Sequence, residues 1–155
     1  MRFSFNTWNM LNNKKYLFSI PLMIMGIVMI ILGLRWMLVE QPWMLDKIAN
    51  EERLGMSFDK LFESDINNTL PDYLRQIYKF FGLWVMIIGL FITSFSRPSI
   101  ISDKKVRISL LFCIGVMVCL GLILAYILIP SSPFIYLGWF LLLMYSVAAL
   151  NYKKF

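Results

Sequence analysis

Histidine is missing from this 155-residue chain. That removes the side chain that most often serves as general base, metal ligand or haem ligand. There are only two cysteines, Cys113 and Cys119. On a helix, a spacing of six turns them about 120° apart and sets them roughly 9 Å apart along the axis. They can form neither a disulfide nor a shared chelate, and both read as small buried apolar residues. No Cys-x-x-Cys pair points to a thiol oxidoreductase. Charge is also scarce: 15% of residues are charged and 59% hydrophobic, with mean hydropathy +0.70. Soluble domains carry about 25% charged and 45–50% apolar residues, so neither a soluble domain nor a disordered chain fits. Acidic residues are nearly absent outside one segment, since eight of the nine lie between Glu40 and Asp72. No carboxylate therefore falls inside a long apolar run, where proton-coupled carriers and pumps need one.

What is present is a set of long uncharged runs. One extends from Tyr16 to Leu34 and another from Phe80 to Ser96. After Arg107 no charge occurs until Lys153, an interval of 45 residues. One helix crosses the hydrocarbon core in about 20 residues, so this interval holds two crossings. Pro130-Ser131-Ser132-Pro133 supplies the turn between them, because proline lacks an N–H and serine caps helix starts. The runs do not alternate as barrel strands do, and lipid offers backbone amides no partner. The expected fold is an all-α integral membrane protein, a four-transmembrane-helix bundle forming a single domain over 1–155. Its spans lie near 16–38, 71–96, 108–129 and 133–151. An outer loop covers about 40–70, and a short loop covers about 97–107.

Orientation follows from the short basic pieces. Arg2, Lys14, Lys15, Arg97, Lys104, Lys105, Arg107, Lys153 and Lys154 stand against Asp103 alone, a net charge of +8. The segment from Glu40 to Tyr78 holds eight acids against Lys47, Arg53, Lys60 and Arg75, net −4. Four spans place the basic pieces on one side, read as cytoplasmic with both termini, and the loop outside. The overall +6 then reflects topology and attraction to anionic head groups, not nucleic acid. The first run, 19 residues long and without a small-x-small exit, reads as a retained anchor. Only four alanines beside many isoleucines, lysines and asparagines point to an AT-rich genome and a bacterial inner membrane. The layout is similar to that of many small bacterial four-helix membrane proteins, without a family motif that matches residue by residue.

The outer loop is too long for a turn and too short for its own core. A helix from Asp46 to Leu54 should stop at Gly55, and Ser57 should cap a second one over Phe58–Glu63. Pro71 suits the first turn of the next helix, with Asp72 and Arg75 spaced to pair.

Two groups of residues invite a functional reading. Gly26 and Gly33 echo Gly82 and Gly89, with Gly115 and Gly121 as a looser variant. Glycines seven apart share a helix face and let backbones approach, within the chain or between protomers. Arg35 sits just inside the outer boundary, beside Trp36 and near Trp43, which read as interfacial anchors. With Glu40, Tyr73, Tyr78 and Lys79 it could line the mouth of an outward-facing pocket for a lipid or amphiphile, or it could simply snorkel. No motif identifies a catalytic, cofactor or metal site. The first functional expectation is a non-enzymatic accessory, scaffold or assembly subunit of a membrane complex. Its partners would be the lipid bilayer and either further copies or a larger assembly. The alternative is a bundle that binds or transports an amphiphile at the Arg35 and Lys79 mouth.

Overall fold

The computed structural model describes residues 3–152, with side chains from Lys15 onward. Arg2, Lys153 and Lys154 lie outside the described residues, as does the side chain of Lys14. The described residues form six α-helices: α1 (Phe3–Leu38), α2 (Lys47–Leu54), α3 (Phe58–Phe62), α4 (Leu70–Phe95), α5 (Lys104–Leu128) and α6 (Phe134–Asn151). Four helices (α1, α4, α5 and α6) are long and apolar enough to cross a membrane, and no strand occurs among the described residues.

Local chemistry sets most of the ends. Gly55 closes α2 in the left-handed region (φ 66°), donating its N–H to Glu52 O. Ser57 Oγ accepts from Lys60 N at the start of α3. Pro71 lies in the first turn of α4, where its missing N–H costs nothing. Asp103 Oδ1 accepts from Lys105 N at 2.7 Å. That cap starts α5 four residues ahead of the apolar run, through Lys104, Lys105 and Arg107. Ser132 Oγ accepts from Phe134 N at 3.1 Å and begins α6. The first helix extends well upstream of its apolar run, back to Phe3.

The helix α1 is the internal one. It packs along α4 on one side and against α6 on another; α6 in turn packs on α5, and α4 and α5 scarcely touch. Accordingly 44% of the apolar window of α1 is buried, against 17% for each of the other three. Phe18, Leu22, Met25 and Met29 of α1 meet Ile92 of α4, Ile114, Val118 and Leu122 of α5, and Ala148 of α6 in one core.

The α1–α4 contact is made by backbone. A Cβ built on Gly33 would stand 2.5 Å from Gly82 O, and one on Gly82 would stand 2.6 Å from Gly33 O. Gly26 and Gly89 face each other in the same way, at 2.7 and 2.6 Å. The pairs run in opposite order, so the two helices are antiparallel. Thr93, one turn past Gly89, turns its hydroxyl back to Gly89 O at 2.8 Å and lies over Gly26.

The third glycine pair behaves differently. Gly115 lies under the Tyr145 ring, whereas Gly121 faces open space. Their spacing of six sets them about 120° apart, so one face cannot hold both. The same geometry corrects the reading of the cysteines. Cys113 and Cys119 are both exposed, because α5 buries only the narrow stripe of Ile114, Gly115, Val118 and Leu122.

At the basic end the α4–α5 loop is tied to α1 and α6. Ser19 Oγ donates to Ser96 O, and Lys15 Nζ donates to Ser102 Oγ at 3.1 Å. Arg107 donates to Ile101 O and Ser102 O, and its guanidinium lies 5.7 Å from the Tyr152 ring centre.

Candidate functional site at the loop-side cap

The other end of the helices carries a built cap. A 3-10 turn over Pro42–Asp46 leads into α2. It plants Trp43, 3% exposed, against Phe58 and Phe62, with ring centres 6.2 and 5.6 Å away. Asn50 on α2 fastens the cap to α4: its Nδ2 donates to Trp43 O at 2.9 Å and to Tyr78 Oη at 3.1 Å. Glu51 Oε1 accepts from Phe58 N at 3.0 Å, linking α2 to α3. Asn67 Nδ2 closes the far end on Leu61 O.

These contacts leave a cavity of about 260 Å³ between the cap and the start of α4. Its walls are Trp43, Leu54, Phe58, Leu61, Leu70 and Leu74, with Asn50, Arg53 and Tyr78 as the polar members. A whole drug-sized ligand needs about 300–1,000 Å³, so this space suits one portion of a larger molecule.

Below it lies a buried polar junction. Asp46, which precedes α2, makes no cap bond to its own helix. Its Oδ2 instead accepts from Ser132 Oγ at 2.8 Å, across 86 residues of sequence. The bond joins the loop between α1 and α4 to the α5–α6 turn. Trp36 closes the junction from α1, with its ring 4.9 Å from Phe81 and 5.0 Å from Phe134. Trp36 and Trp43, expected as boundary anchors, are thus both interior residues.

The five residues expected at a mouth are placed as follows. Arg35 lies in the last turn of α1 and is exposed, as are Glu40, Tyr73 and Lys79. Glu40 takes part through its backbone carbonyl, which accepts from Arg75 Nε at 3.0 Å. Tyr78 is half-buried and held by Asn50. Among the described residues, no hydrogen bond or ion pair joins any two of these five, and of the five only Tyr78 lines the cap cavity. The sequence reading did not bring together Trp36, Asn50 and Ser132 with Asp46. Helix-start chemistry marked Asp46 and Ser132 singly, and nothing in the linear order pairs them.

Apolar walls, one guanidinium and one phenol can hold an apolar segment carrying an acceptor group. Among the described residues no three of His, Cys, Asp or Glu are grouped to share a metal ion. Comparison with protein-family models, with curated proteins and with solved structures finds no match.

Proposed function

We propose that this chain is a non-enzymatic, multi-pass membrane protein that binds part of an amphiphile in its loop-side cap. The cap cavity, with its apolar walls and with Arg53 and Tyr78 at hand, is the observation that carries this reading. Lipid tails are as apolar as the cavity walls, so moving a chain from bilayer to cavity gains little. Discrimination therefore rests on the polar members, and Arg53 favours an anionic head group. The charge asymmetry supports both termini on the cytoplasmic side and loop 40–70 outside, and the scarcity of alanine beside many isoleucines, lysines and asparagines supports a bacterial inner membrane.

Native mass spectrometry with oleate and with monoolein tests the site. Leu61→Trp, which fills the cavity, should remove both adducts. Arg53→Ala should weaken oleate and spare monoolein. Arg35→Ala should change neither, because Arg35 does not line the cavity. Adducts unaffected by Leu61→Trp would overturn the reading, and loss on Arg35→Ala alone would return the site to the Arg35 mouth.

The accessory or scaffold reading draws on a separate feature. A groove of about 210 Å³ runs between α1, α5 and α6, lined in part by Gly121, Ala125 and Gly138. Among the described residues, nothing beyond its own stretch of helix lies within 4 Å of a Cβ placed on Gly121. Extraction in mild detergent followed by size analysis distinguishes the two. A stable complex dissociated by Gly121→Leu favours the scaffold, and a lone monomer that retains the adducts favours the binder.

Orientation is tested separately, with Cys113 and Cys119 replaced by alanine. Ile66→Cys, at a position 87% exposed, should react with an impermeant maleimide from outside the cell, and Ser99→Cys should not. The reverse labelling would invert the topology.

A further inference from the structure

The cap cavity holds two donor groups that the chain leaves unspent. Tyr78 Oη accepts from Asn50 Nδ2 at 3.1 Å, and a phenol can donate as well as accept. Among the described residues none receives the Tyr78 proton, and the Arg53 guanidinium makes neither a hydrogen bond nor an ion pair. Both side chains line the same cavity of about 260 Å³.

Asn50 sets their placement. It lies on α2 three residues before Arg53, so the two share a helix face with Cβ atoms about 5–6 Å apart. Its amide touches Tyr78 on α4. Leu70, Leu74 and Tyr78 recur every four residues along the α4 wall of the cavity, a length of about 12 Å at 1.5 Å per residue. The phenol therefore stands at one end of an apolar trough, with the guanidinium one turn of α2 beyond its anchor. Arg53 is exposed and Tyr78 half-buried. An exposed charge is screened by water and accepts any anion, whereas a phenol held in place imposes direction on its hydrogen bond.

We infer that Tyr78 is the specificity-determining residue of the cap cavity, donating to an acid head group, a carboxylate or a phosphate, on a single-chain lipid whose tail lies along Leu74 and Leu70. This rests on the amphiphile reading and narrows it. An alcohol head brings one oxygen, enough for one of the two donors. An amine is repelled by Arg53 and, once protonated, has no lone pair for Tyr78. An acid group brings at least two acceptor oxygens and a negative charge. The space, below the roughly 300–1,000 Å³ of a whole drug-sized ligand, has no room for two acyl chains.

Native mass spectrometry of the full chain, titrated with dodecanoate, dodecyl phosphate and dodecanol, tests the assignment. The three share one chain, so the ratio of acid to alcohol affinity reports the head group. Tyr78→Phe should lower that ratio about tenfold, because a hydrogen bond to a charged group is stronger than one to a neutral group. The acid that loses more is the class the site takes. Asn50→Ala breaks the same latch but keeps the phenol. It should weaken all three ligands while holding the ratio above that of Tyr78→Phe. A ratio unchanged by Tyr78→Phe would overturn the inference. So would an equal fall in Asn50→Ala, since the latch and not the phenol would then carry the effect. In either case a block by Leu61→Trp would leave the amphiphile reading standing, whereas chains that still bind after Leu61→Trp would remove both.

Discussion

A single methyl group at Gly33 probes how α1 and α4 meet. The Cβ of Gly33→Ala would stand 2.5 Å from both Gly82 O and Met86 N. Ordinary contact begins at 3.4 Å, so the helices must part by about 0.9 Å at that level, the difference between the two distances. Both obstacles are backbone atoms and cannot rotate aside. A gap of 0.5–1 Å forfeits about a quarter to a half of each dispersion contact along the seam. Overpacked sites of this kind cost about 1–3 kcal/mol, and that loss is expected for Gly33→Ala. Gly121→Ala supplies the control. Its Cβ meets nothing within 4 Å, and alanine is favoured over glycine in helices by about 0.8–1.0 kcal/mol, so this change should be neutral or stabilising. The assay is reversible unfolding in mixed micelles on raising the dodecyl sulfate fraction, followed by circular dichroism. Because Gly33 and Gly82 face each other, Gly33→Ala and Gly82→Ala together should cost less than the sum of the two, by about 0.5 kcal/mol or more. Equal losses at positions 33 and 121, or strict additivity at 33 and 82, would refute the seam.

Three further outcomes are expected in the same assay or beside it. Ser132→Ala leaves the Asp46 carboxylate without its donor and should cost about 1.5–3 kcal/mol; adding Asp46→Leu should recover part of the loss, since removing both partners of a buried bond is far milder than removing one. Ser57→Ala should speed amide exchange within α3, by about 1 kcal/mol of local stability, and leave the unfolding midpoint nearly unchanged. Asp72→Asn breaks an exposed pair with Arg75 and should alter stability by at most about 0.5 kcal/mol.

Much of the helical layout is written locally, and local signals are legible. The uncharged runs, the Pro130–Pro133 turn, Gly55 as a stop and Ser57 as a cap all act within a few residues. The upstream part of α1 carries no such mark, since it mixes polar and apolar residues and is parted from the apolar run by Lys14 and Lys15, and only the structure joins it to the helix. The early start of α5 is capped by one bond from Lys105 N to Asp103 Oδ1, to which a hydropathy reading is blind. The glycine spacing was visible, but its partners were not. Which face meets which depends on the antiparallel run of α1 and α4 across an irregular loop. At Gly115 and Gly121 the spacing of six already excluded a shared face. The candidate mouth rested on charge at a boundary, so it drew in Arg35 and Lys79, which are exposed. The cap and its junction rest instead on pairings between distant segments, Asp46 with Ser132 and Asn50 with Tyr78. Neither leaves a trace in sequence order.

The central position of α1 has a consequence for how the chain is made. Its glycine face is synthesised first but answers to Gly82 and Gly89, which follow roughly fifty to sixty residues later. At about 5–20 residues per second, that is an interval of several seconds. During it, the bare backbone of Gly26 and Gly33 and the hydroxyl of Ser19 lack their eventual partners. Whatever receives the nascent first helix must shelter that narrow face and then yield it to α4. Both glycine pairs lie between α1 and α4 alone, so that seam needs no residue of α5 or α6 to close.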